Sequence, residues 1–131
     1  MSGNKALLDT NVIIFASKRQ IDIPQLLSSY DFFYTSIISF MEVYGHLFTR
    51  QEEKDLVDEL FENLEIVDVN PAIAKQVIVY RKSRAKKIKL PDAIILATAR
   101  YLDAELVTDD WDDFKNIDGR VSIQKLDDFK L

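Results

Sequence analysis

Short apolar runs that lead into acidic residues are the feature that most limits what this chain can fold into. The run ALL at residues 6–8 is followed directly by Asp9, and the run LVT at 106–108 is followed by Asp109 and Asp110. Such runs, bounded by polar residues, are typical of strands buried on both faces of a sheet. Because the carboxyl ends of parallel strands meet at the edge where open α/β sheets bind ligands, we expect these acids to converge there.

Helical patterns alternate with these runs along the rest of the chain. We predict strands over 5–8, 32–35, 65–67, 104–108 and 121–123, and helices over 11–17, from Pro24, around Glu42, over 51–64, from Asn70-Pro71 and from Pro91. Asn70 is a suitable N-cap and Pro71 a suitable first helical residue. This alternation predicts a three-layer α/β/α sandwich around a central, mostly parallel sheet.

Hydrophobic periodicity predicts which helix faces are buried. In 51–64 we expect the apolar positions Leu56, Val57, Leu60, Phe61 and Leu64 to face inward, with Glu53 among the polar residues. In the helix that starts at Pro71, we expect Ile73, Ala74, Val77 and Ile78 to face inward.

Length and composition narrow the classes of protein. The chain has 131 residues, of which 47% are hydrophobic, so we expect a single domain over 1–131. Cysteine is absent, which excludes disulfides and thiolate metal sites. The N-terminus lacks a signal-peptide pattern, and no apolar run approaches the roughly 18 residues of a membrane span. A cytoplasmic protein that is not inserted in a membrane is expected.

The charge distribution does not by itself identify a nucleic-acid-binding protein. The formal net charge is -5, so bulk attraction to a polyanion is not expected. A local basic stretch at 81–89 nevertheless lies just before Asp92, and its cations are Arg81, Lys82, Arg84, Lys86, Lys87 and Lys89. These side chains are candidates for contacts with nucleic-acid phosphates, although the solvated end of a helix explains them equally well.

Four acids are candidates for one site: Asp9, Glu42, Asp92 and Asp110. Each has an ordinary explanation when it is taken singly. Asp9 is a suitable helix N-cap, and Asp92 in a first helical turn gains about 0.3–1 kcal/mol from the helix dipole. Glu42 fits a surface glutamate, and residues 109–113 fit a polar loop that contains Trp111, whose ring could pack or stack on a base.

Taken together, the acids favour a site for divalent cations. Carboxylates a few ångströms apart either share a proton or bind a cation, and a site with only oxygen ligands suits Mg²⁺ or Mn²⁺. Such ions activate water and neutralise the charge that develops when a phosphodiester is cleaved. A nuclease site is therefore the sharpest hypothesis for this set of residues.

The motifs also resemble those of the PIN-domain family, in particular its small VapC-type toxin ribonucleases. The resemblance rests on LLDTNVII, TSIISFMEVYG, PDAIILATA and LVTDDWDDF, which occur in the family's order over nearly the whole chain. It implies Mg²⁺- or Mn²⁺-dependent RNA cleavage by a metal-activated water and a cognate antitoxin. We also expect a homodimer. By position, the resemblance assigns Asp9, Glu42, Asp92 and Asp110 as catalytic acids; Asp9, Asp92, Asp110 and Asp113 as metal ligands; and Thr10, Asn11 and Thr108 as supporting residues.

Two positions depart from the family's pattern. Many relatives have a glycine before the third motif, where this chain has the cation-rich segment 85–89, and many have a basic residue where this chain has Asp109. The second departure predicts weaker phosphate contacts at that position.

Two alternative functions stay open at this point. One is a PIN scaffold that binds a partner with weak or no catalysis. The other is a receiver-like phospho-acceptor domain, which suits the length and fold class. A receiver would need paired acids after the first strand and a Lys-Pro pair, whereas Asp9 is followed by Thr10-Asn11 and no Lys-Pro occurs.

Overall fold

The computed structural model describes residues 4–83 and 86–131 and contains a five-stranded parallel sheet. The strands are β1 (Lys5–Leu8), β2 (Phe32–Ser36), β3 (Glu65–Val67), β4 (Glu105–Thr108) and β5 (Ile123–Lys125). The helices are α1 (Thr10–Ser17), α2 (Ile23–Ser28), α3 (Ile37–Tyr44), α4 (Gln51–Phe61), α5 (Pro71–Lys82), α6 (Leu90–Leu102) and α7 (Trp111–Phe114), and a 3₁₀ helix covers Leu126–Phe129.

The strand order is β3-β2-β1-β4-β5. From β1 the chain adds β2 and β3 on one side of the sheet, and then adds β4 and β5 on the other side. The direction of strand addition thus reverses between β1 and β4, which is a topological switch point. Receiver domains have the order 2-1-3-4-5. The observed order excludes a receiver fold for this chain and places the ends of β1 and β4 beside each other.

Alternating side chains of the central strands divide the core into two layers. Leu7 and Leu106 pack with residues of α5 and α6, whereas Ala6, Leu8 and Val107 pack with residues of α1, α3 and α4. This two-residue period is the pattern of strands covered on both faces. The expected α/β/α sandwich is confirmed.

Local sequence explains where several helices begin. The Asp22 side chain accepts a hydrogen bond from the Gln25 amide at 3.1 Å, and the Asn70 side chain accepts one from the Ile73 amide at 2.9 Å. Both caps precede helices that carry proline in the first turn, where its missing N–H leaves no intrahelical bond unmade. The predicted starts near Pro24, Pro71 and Pro91 are therefore confirmed.

Three details of the predicted pattern were wrong. Ile78 on α5 is 52% exposed, and Tyr80 instead occupies the buried face. The last strand is Ile123–Lys125 rather than 121–123, because Val121 packs into the core from the loop before it. Glu53 is only 5% exposed, because it shares the inward stripe of α4 with Val57 one turn later.

Among residues 4–83 and 86–131, no helix combines the length and apolar character that crossing a membrane requires.

Candidate functional site

Asp9 lies at the carboxyl end of β1, beside the switch point, and is only 5% exposed. Its Oδ1 accepts a hydrogen bond from the Thr10 amide at 2.8 Å, so the residue does cap α1. Its Oδ2 accepts a second bond from Thr108 Oγ1, also at 2.8 Å. Helix capping and a place in an acidic site are thus compatible roles, because each carboxylate oxygen accepts more than one partner.

Burial raises the pKa of Asp9 to about 6. The hydrogen bonds from Thr108 and Thr10 act in the opposite direction, because they stabilise the ionised carboxylate. The negative charges of Asp92 and Asp110 contribute to the rise to this value. Asp9 is therefore a carboxylate whose ionisation costs free energy unless a positive charge is nearby.

Thr108 ends β4 and joins two of the acidic residues. It is fully buried, donates its hydroxyl proton to Asp9 and accepts a hydrogen bond from the Asp110 amide at 3.0 Å. Both hydrogen-bonding functions of the hydroxyl are therefore used. The Asp110 carboxylate makes no capping bond to α7 within the described part of the chain, so it stays available to a ligand.

Glu42 projects from α3 and is held by a neighbour of Asp9. Thr10 Oγ1 donates to Glu42 Oε1 at 2.6 Å, and the same hydroxyl lies 3.0 Å from Ser39 Oγ. Ser39 is fully buried one helical turn before Glu42. Glu42 is exposed, as a surface glutamate would be, yet this bond connects it to the first residue after Asp9.

The remaining acids are linked by their charges. Burial raises the pKa of Asp92, and the charges of Asp113, Asp110 and Glu42 raise it further. Burial also raises the pKa of Asp110, with added contributions from Asp113 and Asp109. Mutual repulsion of this kind requires close approach. These charge effects link Asp9, Glu42, Asp92, Asp110 and Asp113 into one electrostatically coupled group.

Among the supporting residues that we predicted, Thr10 and Thr108 belong to the site's hydrogen-bond network. Asn11 lies on α1 with an exposed side chain. Within residues 4–83 and 86–131, no hydrogen bond joins that side chain to the acids. The structure therefore gives Asn11 no visible part in orienting them.

The predicted cationic stretch is dispersed. Lys86 donates its ammonium group to the carbonyl oxygens of Asp112 and Lys115, so it anchors α7. The positive charge of Lys89 lowers the pKa of Asp92, and Lys87 is exposed. Arg84 lies outside the described residues.

Arg81 and Lys82 lie in the last turn of α5, next to Tyr80. Tyr80 and Arg100 both bond the same oxygen of Asp118. Arg100 is eight residues, and hence about 12 Å, along α6 from Asp92. The described hydrogen bonds thus connect this end of α5 to Asp118 and Arg100, and none of them joins Arg81 or Lys82 to the acids.

Sequence patterns missed three polar residues around the site. Ser39 is the first, and the one sequence feature that could have identified it is its position one helical turn before Glu42. The others are Lys125 and Lys130: Lys125 lies over the Trp111 ring, and Lys130 pairs with Asp109 at 2.7 Å. Strand register and the final 3₁₀ helix bring these cations to the site, and neither is visible in a local motif.

The acidic residues provide suitable ligands for a hard divalent cation. They offer only oxygen donors, and a cation would relieve the repulsion that raises the pKa values of Asp9, Asp92 and Asp110. Within the described ranges, no three Asp, Glu or His side chains stand at the spacing of a completed metal site. The donors fit the ion chemically, and binding would require their side chains to close around it.

Comparison with known proteins assigns the fold to a family. The PIN-domain family model matches residues 6–120. A chain of a toxin-antitoxin complex from Klebsiella pneumoniae is similar, with 32% identity, a TM-score of 0.73 and coverage of 88% of this chain and 94% of that one. A comparison with curated proteins gave no match.

Two further solved structures are similar. FitAcB from Neisseria gonorrhoeae has 26% identity and a TM-score of 0.67, with coverage of 90% of this chain and 95% of that one. VapBC-1 from nontypeable Haemophilus influenzae has 23% identity and a TM-score of 0.76, with coverage of 94% and 98%, and at that identity it supports the fold alone. The family match spans most of the chain and includes Asp9, Glu42, Asp92 and Asp110, so the chain belongs to the PIN-domain family.

Proposed function

We propose that this protein is a VapC-type toxin: a Mg²⁺- or Mn²⁺-dependent endoribonuclease that a cognate antitoxin neutralises. The observation that supports the proposal is the grouping of Asp9, Glu42, Asp92, Asp110 and Asp113 near the carboxyl edge of the sheet, where burial and neighbouring negative charges raise the pKa values of Asp9, Asp92 and Asp110. Similarity to a toxin-antitoxin complex chain at 32% identity supports the biological role.

Asp9, Asp92, Asp110 and Asp113 would hold the metal. A bound divalent ion supplies an activated water as nucleophile and positive charge opposite the phosphodiester. The chain's part is to keep these carboxylates ionised and oriented. Thr108 does so for Asp9 by donating to Oδ2, and it positions Asp110 by accepting from its amide.

Glu42 has a different environment and a different proposed role. Its Oε1 is occupied by Thr10, whereas the side chain as a whole is exposed. Its charge raises the pKa of Asp92, which places it close to the proposed metal ligands. We assign Glu42 to accept a proton from the attacking water through its carboxylate.

The partners and setting belong to the same proposal. RNA is the substrate, an antitoxin covers the site, and the active form is a cytoplasmic homodimer with one PIN-like domain over residues 1–131.

A catalytically weak PIN scaffold is the second candidate. The pairing of Thr108 with Asp9 and of Thr10 with Glu42 favours catalysis, because a binding scaffold would have no need to orient these acids.

Cleavage of single-stranded RNA tests the proposal. We expect the wild-type protein to cut in Mn²⁺ and to stop in EDTA, and Asp9→Asn to lose at least about a hundredfold in rate. The matched control is Asp103→Asn, because Asp103 is exposed and has a left-handed backbone that asparagine also adopts. Full activity of Asp9→Asn, or cleavage that persists in EDTA, would refute the proposed site.

A further inference from the structure

One cation reaches the acidic edge from a part of the chain that the family match does not cover. Lys125 is the last residue of β5, five positions beyond the end of that match at residue 120. In the sheet it pairs with Thr108, the residue that bonds Asp9. Neighbouring strands lie about 4.8 Å apart, so Lys125 stands one strand away from the site.

The strand register also gives the face on which Lys125 lies. Side chains alternate along β4, and Leu106 belongs to the core layer of α5 and α6, so Thr108 points to that same face. Lys125 is in register with Thr108. It also lies two residues after Ile123, whose side chain packs against the same core layer. Lys125 therefore lies on the face covered by α6, whose first turn carries Asp92.

Trp111 holds the Lys125 ammonium group in place. Lys125 Nζ is 4.3 Å from the centroid of the Trp111 ring, within the range of a cation–π interaction. Trp111 directly follows Asp110, so the ring fixes this cation beside one of the proposed metal ligands. Lys115 Nζ also contacts the ring, at 4.6 Å.

Lys125 differs from the other lysines around α7 in forming no ion pair among the described residues. Lys115 forms an ion pair with Asp112 at 2.7 Å, Lys86 donates to two carbonyl oxygens, and Lys130 pairs with Asp109 and Asp127. Within residues 4–83 and 86–131, Lys125 Nζ has no carboxylate at ion-pair distance. The Lys125 charge helps to lower the pKa of Asp112 at longer range, but its ammonium group keeps its hydrogen-bond donors for an external anion.

The space in front of Lys125 is an open cavity of about 220 Å³. Five aspartates, among them Asp110 and Asp113, line it together with Thr108, Trp111 and Lys125. Lys125 is the single cationic side chain among the described residues that line it. A phosphate that entered beside Asp110 would find its positive contact here.

We propose that Lys125, positioned by Trp111, contacts a backbone phosphate of the RNA strand that enters the acidic site. The inference rests on the proposed ribonuclease function and adds a substrate contact to it. Trp111 acts through Lys125 and is a positioning residue. Its ring contacts two ammonium groups, so we assign it to holding a cation and not to stacking on a base.

The test is the affinity for a fluorescein-labelled single-stranded RNA, measured in EDTA so that metal-dependent cleavage is absent, over a series of salt concentrations. A lost phosphate contact on single-stranded RNA lowers the slope of log affinity against log salt by about 0.7. We expect that change for Lys125→Gln, with affinity about fivefold weaker at 0.1 M salt and converging on wild type near 1 M. Lys125→Arg should keep the wild-type slope.

Lys18→Gln is the matched control, because Lys18 is exposed and lies at the end of α1 remote from Asp9. It removes the same charge and should leave the slope unchanged. Thermal unfolding of each variant verifies that it is folded. Equal slopes for Lys125→Gln and Lys18→Gln would overturn the inference.

A double variant separates positioning from stacking. If Trp111 acts through Lys125, Trp111→Leu should lower the slope, and adding it to Lys125→Gln should weaken binding no further. Additive losses with an unchanged slope in Trp111→Leu would overturn the positioning role. If wild type cleaves RNA in Mn²⁺ but Lys125→Gln binds normally, this inference alone fails, whereas a wild type that neither binds nor cleaves RNA refutes the proposed function as well.

Discussion

Thr108 Oγ1 donates a hydrogen bond to Asp9 Oδ2 at 2.8 Å, although the two residues are 99 positions apart in the chain. The bond crosses the switch point between β1 and β4, and both residues are buried. It couples the orientation of the most buried acid of the site to the loop that carries Asp110, since the same hydroxyl accepts the Asp110 amide.

Thr108→Val should therefore damage the site while it preserves side-chain volume. The Asp9 carboxylate would lose a bond that lowers its pKa, so the pH dependence of RNA cleavage should move to higher pH. Loss of the buried bond should also reduce the free energy of unfolding by about 1–3 kcal/mol. Thr98→Val serves as control, because Thr98 is buried and, in the part of the chain that the structure describes, its hydroxyl bonds only a carbonyl of its own helix. An unchanged pH profile in Thr108→Val would contradict the assigned role.

Ionised Asp9 should make the metal-free protein less stable as the pH rises. Its folded-state pKa is about 6, against an ordinary value of 3.8. The folded state therefore binds a proton that the unfolded state releases between about pH 4 and pH 6, and the free energy of unfolding falls across that window. The fall is at most roughly 3 kcal/mol from this residue.

Asp9→Asn should remove this dependence. In EDTA at pH 7 the variant should melt at a higher temperature than wild type, because the buried charge is gone while an amide can still bond Thr108. Denaturant unfolding of both proteins at pH 4 and pH 7 measures the effect. A wild-type stability that rises from pH 4 to pH 7 by the same amount as in the variant would show that Asp9 carries no such penalty.

Glu42→Gln should slow cleavage at least about tenfold with little effect on folding, because Glu42 is exposed and a glutamine keeps an oxygen for Thr10. Steady-state rates on a fixed RNA measure this, and Glu59→Gln, also exposed on a helix, is the control. If the two variants cleave RNA equally fast, Glu42 has no part in the reaction.

Tyr80→Phe should affect stability and leave cleavage intact. The Tyr80 hydroxyl donates to Asp118, which also pairs with Arg100 at 2.9 Å, and these bonds tie α5 and α6 to the loop before β5. We expect a loss of about 1–2 kcal/mol in the free energy of unfolding. Tyr101→Phe, which removes an exposed hydroxyl, should cost much less. Equal losses in the two variants would contradict this account of the Asp118 bonds.

Site residues that are marked by their immediate sequence neighbours could be predicted, whereas those placed by strand pairing could not. Asp9 and Asp110 follow apolar runs, and Asp92 follows a helix-starting proline, so strand ends and helix starts were sufficient to group them. The position of Lys125 depends instead on the pairing of β5 with β4, which joins residues far apart in sequence. The pattern of apolar residues within either strand does not indicate which residues of the two strands are paired.

The errors in the core also have physical causes. Glu53 lies on the inward stripe of α4, but its charge suggested an outward position. In the fold it accepts a hydrogen bond from Thr49 at 3.0 Å, which partly offsets its burial. Ile78 continues an apolar pattern on α5, yet tertiary packing uses Tyr80 instead, because the Tyr80 hydroxyl can bond Asp118 while its ring stays in the core.

The central claim, that the acids at the end of β1, β4 and the start of α6 bind a divalent cation, is tested most directly by calorimetric titration of Mn²⁺ into the purified protein at pH 7. We expect saturable binding to wild type and to Asp103→Asn, and its loss in Asp92→Asn. Heat of binding that is absent from wild type, or unchanged in Asp92→Asn, would contradict the account.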